Sequence, residues 1–248
     1  MSDPEIRNMV MSAIKQHLGK DAEKSGAVLY NGWSTLRLSH GLYIMGFNPG
    51  GNPDTIKKSI IETLEEIREN YCSYKDECWH KSCREDCRDA NHCGKSRHQT
   101  RVTELAKILG CNIRDVFAAN AIFIRSNNQD SLAEKLSLFE NCWPIHQMFL
   151  SIVQPRTILC LGNGEGSSAF SLLRQKLSSG EKQEGPVKEF IAEIPLPDRS
   201  PIRSRVIGVR HPSYPWFDPT KDLSSYLHKN PMLFREGIGR HKGVVKEG

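Results

Sequence analysis

Four short stretches carry residue types that can do chemistry. Phe47-Asn48-Pro49-Gly50 sets a carboxamide in a turn, and Asn120 sets another inside the apolar run 116–124. Gly162-Asn163-Gly164 opens a glycine-rich turn, and Arg210-His211-Pro212-Ser213 presents an imidazole. A carboxamide offers both a donor and an acceptor. An imidazole can donate to an oxygen that is gaining negative charge. Amides at a helix N-terminus suit a phosphate. Each has a plainer reading: Asn48 as a turn residue before proline, His211 as a histidine in a Pro-rich loop, Asn120 as a satisfied core amide. The glycine turn lacks the lysine of a Walker motif and is not a full dinucleotide fingerprint.

Thiols form a separate group. Five of the eight cysteines fall in one segment, as Cys72-x5-Cys78-x4-Cys83-x3-Cys87-x5-Cys93, with His80, His92 and His98 nearby. That density suits a metal, zinc ahead of an iron–sulfur cluster, held by some of the five. The spacing has no CxxC pair, and free thiols or a disulfide remain the alternative. Cys111, Cys142 and Cys160 stand in apolar settings and read as small buried hydrophobes. Eight cysteines in 248 residues are too sparse for a disulfide scaffold, so a reducing, cytoplasmic location is expected.

The elements that position the four stretches follow from periodicity. Ile6, Met9, Val10, Ala13, Ile14 and Leu18 predict an amphipathic helix over 5–18. Short continuous apolar runs at 42–50, 116–124, 157–164 and 205–213 predict four strands. Helical patterns lie between them: one from near Asp54, one over 99–109, one from a Ser131/Glu134 capping box, and one along Ala169, Leu172, Leu173 and Leu177. Residues 178–188 read as a loop, and 71–98 as a Cys/His-rich insertion in a single domain spanning 1–248. Continuous rather than alternating apolarity means both sheet faces are covered. The expected class is α/β: a three-layer α/β/α sandwich around a four-stranded parallel sheet. In such sheets ligands bind beyond the carboxyl ends of the strands, where all four stretches fall.

Composition sets the bounds. Apolar residues are 38 % and charged residues 25 %, an ordinary folded balance. No run approaches the roughly 20 apolar residues a membrane span needs, and the first residues have no secretory h-region. The net charge of +5 is concentrated: residues 203–242 carry eight Lys/Arg against three Asp/Glu, interleaved with Tyr214, Trp216, Phe217, Tyr226 and Phe234. Basic charge with aromatics suits a polyanion with exposed bases.

In order, Gly46-Phe47-Asn48-Pro49-Gly50 after strand one, Asn120 in strand two and His211-Pro212-Ser213 after strand four resemble the motifs of the uracil-DNA glycosylase superfamily. The likeness spans roughly residues 40–225, less the cysteine segment. It implies a DNA glycosylase acting on DNA with an altered base and needing no cofactor for the chemistry; with no lysine evidently placed to form a Schiff base, the expected enzyme is monofunctional, and a monomer is expected. By that resemblance Asn48 holds the attacking water, His211 donates to the leaving base, and Phe47, Gly50 and Asn120 line the base pocket. Ser213, Tyr214 and Trp216 resemble the loop that fills the gap left by a flipped base, with Arg210 and the Gly162–Gly164 turn on the DNA backbone. The most uracil-restrictive branch has a tyrosine where Gly50 stands. The glycine opens that wall to C5-modified pyrimidines, hypermodified phage bases included, which extends the expected role from repair to antiviral defence. A non-catalytic nucleic-acid-binding protein on the same fold is the alternative.

Overall fold

The computed structural model describes residues 3–37, 41–79, 91–128, 130–177 and 185–229. The chain is mixed α/β, with one five-stranded, mostly parallel sheet. Its strands are β1 (Leu42–Gly46), β2 (Phe117–Asn120), β3 (Thr157–Leu161), β4 (Val187–Leu196) and β5 (Arg199–Val209), in the order β2-β1-β3-β5-β4. The helices are α1 (Asp3–Leu18), α2 (Ile60–Glu66), α3 (Ser73–Asp76), α4 (Arg97–Ile108), α5 (Lys135–Val153), α6 (Ala169–Leu177) and α7 (Ser225–Lys229).

The four apolar runs do form four parallel strands. Their register aligns Gly46 with Asn120 and Leu161 with Val209, so the strands end together along one edge. The fifth strand corrects the expected four. β4 runs antiparallel to β5, from Val187↔Val209 to Leu196↔Arg199 with a bulge between Ile194 and Leu196. Its alternating burial along Ala192, Ile194 and Leu196, with exposed residues between, is the period-two signature of an edge strand with one wetted face. Pro195 is tolerated there because an edge strand need not donate on both sides.

Alternate residues of each strand feed two cores. Tyr43, Met45, Phe117, Ile158, Cys160 and Val206 join α1, α2, α5 and α6 on one face. Leu42, Ile44, Ala118, Leu159, Ile207 and Val209 join α4, Cys72, Tyr74 and Phe217 on the other. The base of the segment 71–98, read from sequence as an insertion, contributes to this core: Cys72 and Tyr74 are fully buried. His146, on α5, shows how a buried histidine is satisfied. Its Nε2–H donates to the Ala121 carbonyl and its Nδ1 accepts from the Tyr43 hydroxyl, both at 2.9 Å.

Helix starts also depart from expectation. The helix expected near Asp54 begins at Ile60, with Ser59 and Glu62 forming a reciprocal capping box. Ser96 and Gln99 form a second one at α4. Ser131 and Glu134 do not: Ser131 bonds Asn128 in a local turn, and Glu134 precedes α5 at φ 49° without a side-chain cap. Asn128 gives Ser131 a closer partner than the start of α5. Among the described residues no helix is long and apolar enough to cross a membrane.

Candidate active site

Beyond the strand ends lies one large cleft of about 1740 Å³. Phe47, Asn48, Pro49, Gly50, His211 and Ser213 line it, so the turns after β1 and β5 face the same space.

Asn48 is oriented by its neighbours. Its Nδ2 lies 2.8 Å from Ser126 Oγ, 3.1 Å from the Ile124 carbonyl and 3.2 Å from the Pro49 carbonyl. Carbonyls only accept, and the Ser126 hydroxyl donates onward to the Asn128 carbonyl at 2.8 Å. The nitrogen end is therefore fixed against the protein, which leaves Oδ1 as the end able to accept from a water. A parallel bridge between Gly50 and Ser126 ties this turn to the chain beyond β2, and Arg125 donates to the Gly50 carbonyl.

His211 is oriented in a complementary way. The Ser213 N–H donates to its Nδ1 at 3.3 Å, which assigns the ring proton to Nε2. Burial pulls its pKa down to about 4, so it is a neutral N–H donor at pH 7. The ring lies close to Gly162, whose added Cβ would stand 3.9 Å from its Cδ2.

Gly50 is a bare stretch of wall. It lacks the positive φ that its neighbour Gly51 has at 107°, and a Cβ on Gly50 would meet nothing within 4 Å. A Cβ on Gly51 would press to 2.6 Å from Ile56. The turn's need for glycine thus falls on Gly51, and Gly50 is free to serve the pocket.

Asn120 is fully buried, and Tyr30 rather than Asn120 lines the cleft. Both close over Gly46, where an added Cβ would meet Asn120 Oδ1 at 3.0 Å and Tyr30 Cε2 at 3.2 Å. The Asn120 amide hydrogen goes to the Ala27 carbonyl at 3.0 Å, and its buried Oδ1, beside the Tyr30 ring, meets no donor in hydrogen-bond geometry among the described residues. That sets the amide's orientation, which sequence left open: the carbonyl oxygen retains bonding capacity.

The remaining expected contacts divide. Tyr214 and Trp216 are exposed and stack at 5.2 Å, whereas Phe217 is fully buried in the core. Arg210 is half-buried just past β5. Of Gly162, Asn163 and Gly164, only Gly164 is exposed. Asn163 points inward, donating to the carbonyls of Pro186 at 2.9 Å and Gly208 at 3.2 Å. At the start of α6 the Ser171 N–H donates to Ser168 Oγ and the Leu172 N–H to the Ser168 carbonyl.

Among the cysteines, Cys72 is buried and burial pushes its thiol up to about 11, which favours the neutral form. Cys78 and Cys93 are half-buried, while Cys83, Cys87 and His80 lie outside the described residues. Among the described residues no group of three or more His, Cys, Asp or Glu is placed to hold a metal ion. Cys142 and Cys160 are buried as expected, and Cys111 is half-buried.

Sequence reasoning missed an aromatic wall. Tyr30, Trp79 and His98 line the cleft, with ring centroids 5.9 Å apart for Tyr30–Trp79 and 5.5 Å for Trp79–His98. The wall continues through His98–His211 at 5.1 Å and His211–Tyr214 at 6.0 Å to the exposed pair. No local pattern joins these residues, which come from four separate segments. No protein-family model matches the chain, and no curated protein matches it.

Proposed function

We propose that the cleft is a hydrolytic site for a base extruded from nucleic acid. More particularly, the chain acts as a monofunctional DNA glycosylase on uracil or a C5-modified pyrimidine. The observation that carries this reading is the pairing of an oriented amide oxygen on Asn48 with a neutral N–H donor on His211 in one cleft. Breaking an N-glycosidic bond puts positive charge on the sugar and negative charge on the departing base. A water accepted by Asn48 Oδ1 attacks the sugar carbon as the bond to the base nitrogen breaks. The bonding pair leaves with the base, whose oxygen receives a hydrogen bond from His211 Nε2–H. Neither residue takes the water's proton, which passes to solvent or to the departing base. Activation comes from the cationic character of the sugar. The two cores on opposite sheet faces support a three-layer sandwich of the kind the resemblance implies.

The Tyr214–Trp216 stack stands at the end of the aromatic wall, placed to fill a gap left by a flipped base. Tyr30, with Asn120 Oδ1 behind it, supplies polar groups at the pocket floor. The open wall at Gly50 favours C5-substituted bases, including hypermodified ones, and with them an antiviral role. The exposed aromatic pair would equally serve a non-catalytic DNA binder, and one assay separates the two. Oligonucleotides carrying uracil, hydroxymethyluracil, hypoxanthine or glucosylated cytosine are incubated with the protein and scored for abasic sites. Abasic sites from a pyrimidine substrate support the glycosylase. Salt-dependent binding with no abasic site from any substrate overturns it in favour of the binder.

A further inference from the structure

One face of α4 is bonded to the segment that carries His211. His98, Arg101 and Glu104 recur every three residues and so share that face. His98 Nδ1 lies 3.2 Å from the Ser213 hydroxyl, and the two share a hydrogen bond. Arg101 donates to the carbonyl oxygens of Pro212 at 2.9 Å, Pro215 at 3.1 Å, and Tyr214. Glu104 accepts from the Thr220 hydroxyl at 2.6 Å. The helix is itself anchored by Gln99, fully buried, which donates to the carbonyls of Ser73 at 2.8 Å and Glu77 at 2.7 Å.

Ser213 is the joint in this arrangement. Its main-chain N–H meets His211 Nδ1, and its side-chain hydroxyl meets His98. We propose that His98 is a positioning residue for His211: acting through Ser213, it holds the imidazole in the tautomer whose Nε2–H is free to donate into the cleft. The placement is independent of the glycosylase reading, and only the use made of that N–H rests on it.

The physical argument concerns which ring nitrogen carries the proton. The two neutral tautomers of imidazole are close in energy, so the partner of one nitrogen decides the proton's position on the other. A donor aimed at Nδ1 selects the Nε2–H form, and at His211 that donor is a main-chain N–H. That N–H belongs to Ser213, an exposed residue between Pro212, which has no N–H of its own, and Tyr214. Arg101 fixes the carbonyls of residues 212, 214 and 215, and the Pro212 carbonyl shares a planar peptide with the Ser213 N–H, while the Tyr214 N–H closes the turn on the His211 carbonyl at 3.0 Å. His98 adds a further tie at the Ser213 side chain, and its own ring is held in place, 5.5 Å from that of Trp79 and stacked at 6.4 Å on that of Tyr74. A fixed imidazole gives Ser213 an orientation that an exchanging water would not.

The test reads His211 directly. The full chain is labelled with ¹⁵N-histidine at pH 7, and His211 is assigned from the signals lost in His211→Ala. The wild type is expected to show one tautomer, with the proton on Nε2. Ser213→Ala, which removes only an exposed hydroxyl, and His98→Ala are expected to show a mixture. His98→Asn, which keeps a hydrogen-bonding group near Ser213, is expected to restore the single form in part. On whichever substrate the wild type cleaves, His98→Ala lowers kcat about tenfold to a hundredfold with KM changed less than about twofold. An unchanged single-tautomer spectrum in both Ser213→Ala and His98→Ala overturns the proposal. Absence of base release by the wild type overturns the glycosylase reading alone, and the nitrogen spectra still decide the role of His98.

Discussion

The turns after β1 and β5 put one polar group each into the same cleft, but they hold it by different means. Asn48 is fixed locally, by its own turn and by the chain that continues from the adjacent strand β2. His211 is fixed from afar, by a serine two residues on whose hydroxyl bonds a helix 115 residues earlier in the chain. The first depends on sheet register, which both cores enforce. The second depends on a helix docked on one face of the sheet. A group held by register is hard to misplace without unfolding the protein, while a group held by a docked helix can lose its aim in a folded one.

The strongest way to break that comparison is to remove each group in turn. His211→Ala should lower base release by on the order of 10²–10³, the usual cost of losing one preorganised donor to a developing anion. Its fold should persist, because the residue lies past the end of β5 and outside both cores. Wild-type rates from a folded variant would remove its role. Asn48→Ala should cost about a hundredfold, the scale of misplacing a reactant, with DNA binding retained. Lost binding alongside normal turnover of bound substrate would show that Asn48 serves the DNA and not the water.

Acid sharpens the contrast, since only one of the two groups titrates. Burial holds His98 near 3 and His146 and His211 near 4, below the ordinary value of 6.5. These are depressed histidines, so from about pH 6.5 down to about 4 the unfolded chain binds protons that the folded one refuses. Their contribution is intact above pH 6.5 and is lost as pH falls through that window. Urea midpoints should therefore drop from pH 7.5 to pH 5, and His211→Asn should reduce the drop. Equal midpoints at the two pH values for the wild type would contradict the neutral buried rings.

The smallest effect is expected at the pocket wall. Gly50→Ala should leave every activity nearly unchanged, since its Cβ enters open space at an unstrained φ. Gly50→Tyr should cut activity on a C5-bulky pyrimidine far more than on uracil. Equal losses on all substrates in both variants would return Gly50 to a turn-forming role and remove the support for modified bases.

Legibility follows the same division. The four parallel strands, their common edge, and Asn48 and His211 facing one cleft were readable, because continuous apolar runs and turn residues are local signals. β4 was passed over because an edge strand alternates, and Lys188, Glu189 and Glu193 make that alternation resemble a polar loop. Phe217 and Trp216 are adjacent aromatics in one loop, and only packing separates the buried one from the exposed one. Tyr30 and Trp79 were invisible because nothing local pairs them. The triplet spacing of His98, Arg101 and Glu104 was present in the sequence, but a polar stripe on a helix ordinarily means solvent. Its partners are the main chain and side chains of another segment, which no side-chain pattern records.

The β4–β5 hairpin bears on the order in which the molecule assembles. Its two strands are joined by a short turn, so closing it costs little chain entropy, whereas every parallel pair must close a long loop first. In refolding, amides of β4 and β5 should gain protection from hydrogen exchange before those of β1 and β2, and simultaneous protection of all five strands would contradict this. β5 would then be a pre-formed template onto which β3, β1 and β2 add in turn. The cleft, which needs both the β1 and β5 ends, would be among the last parts of the protein to exist.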